Sequence, residues 1–157
     1  MIRAIFSAIA GYVLMVIVVL SCIAATWFTL GNRFAFEGES RTASLGWSVI
    51  QLLAGGLGAI AAGALAAWLA GPKHSLAIRI LIGMILVLGI LNAVLALGVT
   101  PPPLPEGKTL DSLSFSEAGQ YARSPTWYLF AVVIAGVAGI WMGGRLATTK
   151  PSTQTAA

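Results

Sequence analysis

The stretch 45-LGWSVIQLLAGGLGAIAAGALAAWLA-70 decides the architecture. It carries no charge and outruns the roughly 20 apolar residues that a helix needs to cross a bilayer core. Gly55, Ala59, Gly63, Ala67 and Gly71 recur along it every four residues, and Ala54, Gly58, Ala62, Ala66 and Ala70 form a second row beside them. Small residues at this spacing let helix backbones approach closely, which is how helices gain contact energy in lipid. A membrane strand would instead alternate apolar and polar residues. The stretch therefore predicts a transmembrane helix with two smooth faces.

Three further apolar runs flank it. One precedes it at 4–30 and two follow at 76–99 and 126–146, with Arg79 and Arg145 as the only charges, each near a helix end where a long side chain reaches the interface. The expected fold class is all-α, an integral membrane four-helix bundle with four transmembrane helices, both termini on the cytoplasmic side. The four-span domain covers 1–147, with outer loops at 31–44 and 100–125 and a disordered cytoplasmic tail at 148–157. Composition agrees. The chain is 58% hydrophobic and only 9% charged, whereas soluble domains carry about 25% charged residues. So little charge cannot cover a water-facing surface of this size, but a bilayer solvates an apolar one.

Local signals mark the ends. Gly31-Asn32 can close the first span, Ser44 can cap the second, and Gly71-Pro72 can end it. Ser75 is the expected cap of the third span, which the prolines following Thr100 stop. Ser124 is the expected cap of the fourth, with Pro125 in its first turn. In the last outer loop, Ser114-Phe115-Ser116-Glu117 matches a capping box and predicts a short helix over 115–123, while 101–105 should be a stiff, proline-rich stretch.

Charge sets the orientation. Arg3, Lys73, His74, Arg79, Arg145 and Lys150 fall on one side; Arg33, Arg41, Lys108 and Arg123 fall on the other, in longer loops. The denser basic side is cytoplasmic by the positive-inside rule. All five acids (Glu37, Glu39, Glu106, Asp111 and Glu117) lie on the outer side, where Trp27, Phe28, Trp47, Trp127 and Tyr128 form an interfacial belt. The expected location is the inner membrane of a bacterium. The net charge of +4 does not indicate nucleic-acid binding, because the basic residues are scattered and form no stripe.

Chemistry is sparse. No Asp or Glu lies in a span, so the usual relay of a coupled transporter is missing. A single His and a single Cys exclude a bis-histidine haem within one chain and a cysteine-rich metal centre. No Ser–His–Asp set can form, because the acids and the His fall on opposite sides. No enzyme activity and no cofactor are expected. Cys22 reads as a small hydrophobe. Val19-Leu20-Ser21-Cys22 is similar to a lipoprotein cleavage box, but Leu20 fits that box poorly and three more spans follow. No motif identifies a family.

The candidate functional residues are therefore few. Gly55, Ala59, Gly63, Ala67, Gly139 and Gly143 form a helix-packing or partner face. Asn92, well inside its span, and Gln51, near the outer interface, are the polar contacts in the membrane. A gapless match of Ala54–Ala66 with Ala135–Ala147, identical at six of thirteen positions, raises a parallel repeat of two helical hairpins. The leading expectation is a non-catalytic protein acting through helix packing, as an accessory or scaffold subunit or a homo-oligomer. Its partners would be the lipid bilayer and other membrane helices. The alternatives are a small oligomeric permease or channel for a neutral or lipophilic solute, using Asn92, and a lipid- or quinone-binding module using grooves beside the glycines.

Overall fold

A computed structural model describes residues 1–37, 40–98, 102–104 and 107–148. The expected tail lies outside these residues apart from Thr148, as do Glu39, Glu106 and the two ends of the proline-rich stretch. The chain is all-helical: α1 (Ile2–Ala35), α2 (Leu45–Ala70), α3 (His74–Gly98), α4 (Phe115–Tyr121) and α5 (Thr126–Thr148). Three helical stretches are long and apolar enough to cross a membrane: Ile2–Gly31, Leu45–Gly98 and Thr126–Thr148. This is the pattern of a membrane protein.

The helix ends follow local chemistry. Gly31 takes φ +71°, a left-handed conformation that interrupts α1 where glycine is favoured. The Ser44 side chain accepts from the Trp47 N–H and starts α2. Gly71 takes φ +58° and returns its N–H to the Ala67 carbonyl, ending α2. Pro72 then sits in a short 3₁₀ turn, Gly71–Lys73, that runs directly into α3. Two expected caps shift for that kind of reason. The continuing turn starts α3 at His74, so Ser75 is already inside the helix and caps nothing. Helix α5 starts at Thr126, which places Pro125 at the capping position and Ser124 one residue outside.

Contacts give the directions. Gly11 of α1 lies against Ala62 and Ala66, whereas Gly58 lies against Met15 and Val18, so α1 and α2 are antiparallel. Gly136 meets Ile85 and Gly144 meets Ile78, so α3 and α5 are antiparallel too. Gly55 faces Val132 and Gly143 faces Ile60, which makes α2 and α5 parallel neighbours. Helix α2 is central. Its Ala54 row packs on α1, and its Gly55 row packs on α5. The main buried cluster, Ala8, Ala59, Ala62, Ala66, Leu81, Ile85 and Ile140, lies toward the Arg3 end.

The thirteen-residue match does not carry over to this geometry. Gly58 faces its hairpin mate α1, but its counterpart Gly139 faces α2; Gly63 faces α5, but its counterpart Gly144 faces α3. Aligned residues therefore occupy different faces.

At the other end the loops bind one another. Ala43 N–H donates to the Arg123 carbonyl at 2.9 Å, and Arg123 N–H donates to the Arg41 carbonyl at 2.8 Å. Ser114 and Glu117 form the capping box of α4. Beneath α4, Trp27, Ala35, Phe36, Trp47, Leu113 and Ala118 form a second buried cluster. The Trp27 ring meets Trp47 and Phe115 edge-on, with centroids 6.0 and 5.7 Å apart.

Candidate functional site

The six small residues singled out from the sequence are used within the chain. Gly63 sits against the backbone of Ile140, and Gly143 sits against the carbonyl of Ile60, leaving no room for a Cβ at either. A Cβ on Gly139 would lie 2.8 Å from the Gly56 carbonyl and from Ala59. Ala59 and Ala67 are buried. Gly55 is looser, with only Val132 at 3.9 Å. Both rows of α2 are thus occupied, and neither is left facing outward. The exposed side of α2 is Leu53, Leu57 and Trp68 instead.

Gln51 reaches across to α5. Its Oε1 accepts from the Tyr128 hydroxyl at 3.1 Å, a side-chain bond between two membrane helices. Spacing does not point to this pairing, because Tyr128 reads equally well as an interfacial aromatic.

The Asn92 side chain is exposed and has no hydrogen-bond partner among the described residues. Asn92 follows Ile85 by seven residues and Leu88 by four, so it continues a stripe of α3 whose Leu81 meets Gly11 of α1 and whose Ile85 meets Gly136 of α5. Helices α1 and α3 touch toward the Arg3 end, where Gly11 meets Leu81 and Ala4 clusters with Ala77. Asn92 lies farther along α3, where it is exposed.

Two cavities occupy this half of the molecule. The first, about 400 Å³, lies beneath α4 and is walled by Trp27, Phe36, Trp47, Phe115 and Tyr128, with Ser48, Gln51, Ser116 and Ser124 as its polar groups. The second, about 290 Å³, lies between α1, α2, α3 and α5 and is lined by Tyr12, Met15, Val19, Leu88, Gly89 and Val132 among others. They meet at Gln51 and Tyr128, which line both. Exposed Leu20 and Leu88 belong to the second lining, so it opens sideways between α1 and α3. Among the described residues, no charged one lines either cavity.

Ser48 is the buried polar group that sequence reading missed. It is only 2% exposed, and its hydroxyl has no partner. Among the described residues no side-chain polar atom is both sealed and unpaired, so the hydroxyl must face the chamber it lines. Among the described residues, the one strongly shifted acid lies outside the chamber. The ammonium of Lys108, and then the N–H and hydroxyl of Ser114, hold the Glu117 carboxyl down at about 2.

The arrangement offers hydrogen bonds and aromatic walls. It sets no nucleophile beside a base, and no group of three or more potential metal ligands occurs among the described residues. No family model, curated protein or solved structure matches the chain.

Proposed function

We propose that this is a non-catalytic, multi-pass membrane protein that crosses the bilayer four times and works by binding other membrane helices. It acts as an accessory or scaffold subunit, or as a homo-oligomer, with both termini on the cytoplasmic side of a bacterial inner membrane. The observation that carries this reading is Asn92. A carboxamide exposed on a helix whose other exposed residues include Val87, Leu91, Val94 and Leu95 is costly to leave against lipid tails. A helix packed along the exposed part of α3 that carries Asn92 would give it a partner, and such bonds contribute about 0.6–2 kcal/mol. The surface offered to a partner is this part of α3, since both small-residue rows are already filled. The distribution of charge supports the orientation: Arg3, Lys73, His74, Arg79 and Arg145 share one end, opposite Glu37 and Glu117.

In the alternative, an oligomeric permease, the path would run between copies, since toward the Arg3 end Leu81 and Ile140 are fully buried and fill the interior of the single chain.

Native mass spectrometry after gentle extraction tests the proposal. The expected result is an assembly heavier than the 16.2 kDa chain, homomeric or with a second protein, and its dissociation by Asn92→Leu. A lone monomer from the native membrane, or an assembly indifferent to that substitution, removes the basis for the reading.

A further inference from the structure

We infer that the two joined cavities hold one neutral amphiphile with a flat, hydrogen-bond-accepting head and a prenyl chain, the chemistry of a membrane quinone. The inference stands apart from the partner reading, because the site lies within a single chain.

The head chamber has the right chemistry for such a ring. Its lining contains no Lys, Arg, Asp or Glu, so nothing there compensates a phosphate or an ammonium. Flat rings suit its walls, where Trp27, Trp47, Phe115 and Tyr128 supply aromatic faces and edges. The unused polar groups are donors. Ser48 Oγ–H is unpaired and faces the chamber. The Gln51 carboxamide spends its oxygen on Tyr128, which leaves its N–H₂ free. The indole N–H groups of Trp27 and Trp47, both residues 8% exposed, have no partner among the described residues. A chamber lined by accessible, uncommitted donors, with no charged residue among the described lining, selects a neutral acceptor, and ring carbonyls are such acceptors.

The second cavity suits the chain. Its lining is almost wholly apolar apart from Gln51 and the hydroxyls of Tyr12 and Tyr128. It begins at the Gln51–Tyr128 pair and reaches the surface between α1 and α3, where a long tail can pass into the bilayer. Gly55 and Gly89 keep the α2 and α3 walls low. The two volumes, about 400 and 290 Å³, fall in or near the range of about 300–1,000 Å³ usual for small-molecule sites.

The test uses the full-length protein in phosphatidylcholine nanodiscs, titrated with decylubiquinone and followed by tryptophan fluorescence. Trp27 and Trp47 wall the chamber, while Trp68, Trp127 and Trp141 lie outside it and report general quenching. The expected result is a saturable phase at one quinone per chain. The double variant Ser48→Ala/Gln51→Leu should weaken it by about tenfold or more, since each neutral hydrogen bond is worth roughly 2- to 12-fold. Gly55→Leu should also weaken it by filling the tail groove, where a Cβ meets only Val132. Gly56→Leu, at a position with open space, should leave it unchanged, which separates loss of the site from general disturbance. Quenching that rises linearly with quinone and is the same in all variants would overturn the inference. So would equal competition by 1-decanol, which has the tail without the ring.

Discussion

A single hydrogen atom at Gly143 decides how close α2 and α5 can come. The Ile60 carbonyl lies where a Cβ would stand, and Gly63 meets the backbone of Ile140 in the same way. Such contacts bring Cα–H groups onto carbonyl oxygens and gain dispersion along the whole seam. Alanine at either position must push two backbones apart. Gly143→Ala and Gly63→Ala should therefore each destabilise the fold by about 1–3 kcal/mol. Gly56 and Gly83 have open space around a built Cβ, so alanine there should be neutral or stabilising by up to about 1 kcal/mol. Reversible unfolding in mixed micelles, followed by circular dichroism, measures the difference. Equal stability across the four variants would contradict the close approach. The small-residue rows were legible in the sequence because spacing alone defines a smooth helix face. Which row meets which helix was not, since two rows of Gly and Ala are chemically alike. Where Asn92 points was not legible for a related reason: hydropathy gives depth along a span but not the direction of a side chain.

Element ends were the most legible feature, and α4 shows why. A capping box is local chemistry, satisfied by residues three apart whatever the rest of the chain does. Ser114 and Glu117 cap α4 as read, although the helix ends at Tyr121, short of the expected 123. Ser75 and Ser124 were displaced because a preceding turn or proline took the capping place, a competition that sequence does not resolve. The α4 cap also predicts a pH response. Glu117 is held at about 2 against an ordinary value of 4.5. A depressed carboxyl favours the folded loop above its unfolded value, and that contribution fades as pH falls from about 4.5 toward 2. Phe115 touches Trp27, so tryptophan emission reports the loosening. The difference between wild type and Glu117→Gln should be constant from pH 7 to 5 and shrink to nothing near pH 2. A difference that stays the same down to pH 2 would show that the carboxylate does not hold α4.

At the scale of the whole molecule, the decisive question is how the apolar stretch Leu45–Gly98 meets the bilayer. It spans 54 residues, and as one straight helix it would be about 80 Å long, far beyond a hydrocarbon core of about 30 Å. Gly71 breaks it with a positive φ, and Pro72 prevents the helix from simply resuming. Lys73 and His74 then occupy the turn, where charge is least costly at the interface. The proposed four crossings need this fold-back, which would put Ser40 and Ser116 on one side of the membrane and Ser75 on the other. Cysteine scanning in a Cys22→Ala background tests it directly. Ser40→Cys and Ser116→Cys should react with an impermeant maleimide added outside intact cells, while Ser75→Cys should react only after the membrane is opened. If Ser75→Cys stays unreactive even then, the turn is embedded in the bilayer, and Leu45–Gly98 enters and leaves as a re-entrant hairpin. The parallel packing of α2 and α5 would remain, but the charge-based orientation would lose the inner loop on which it depends.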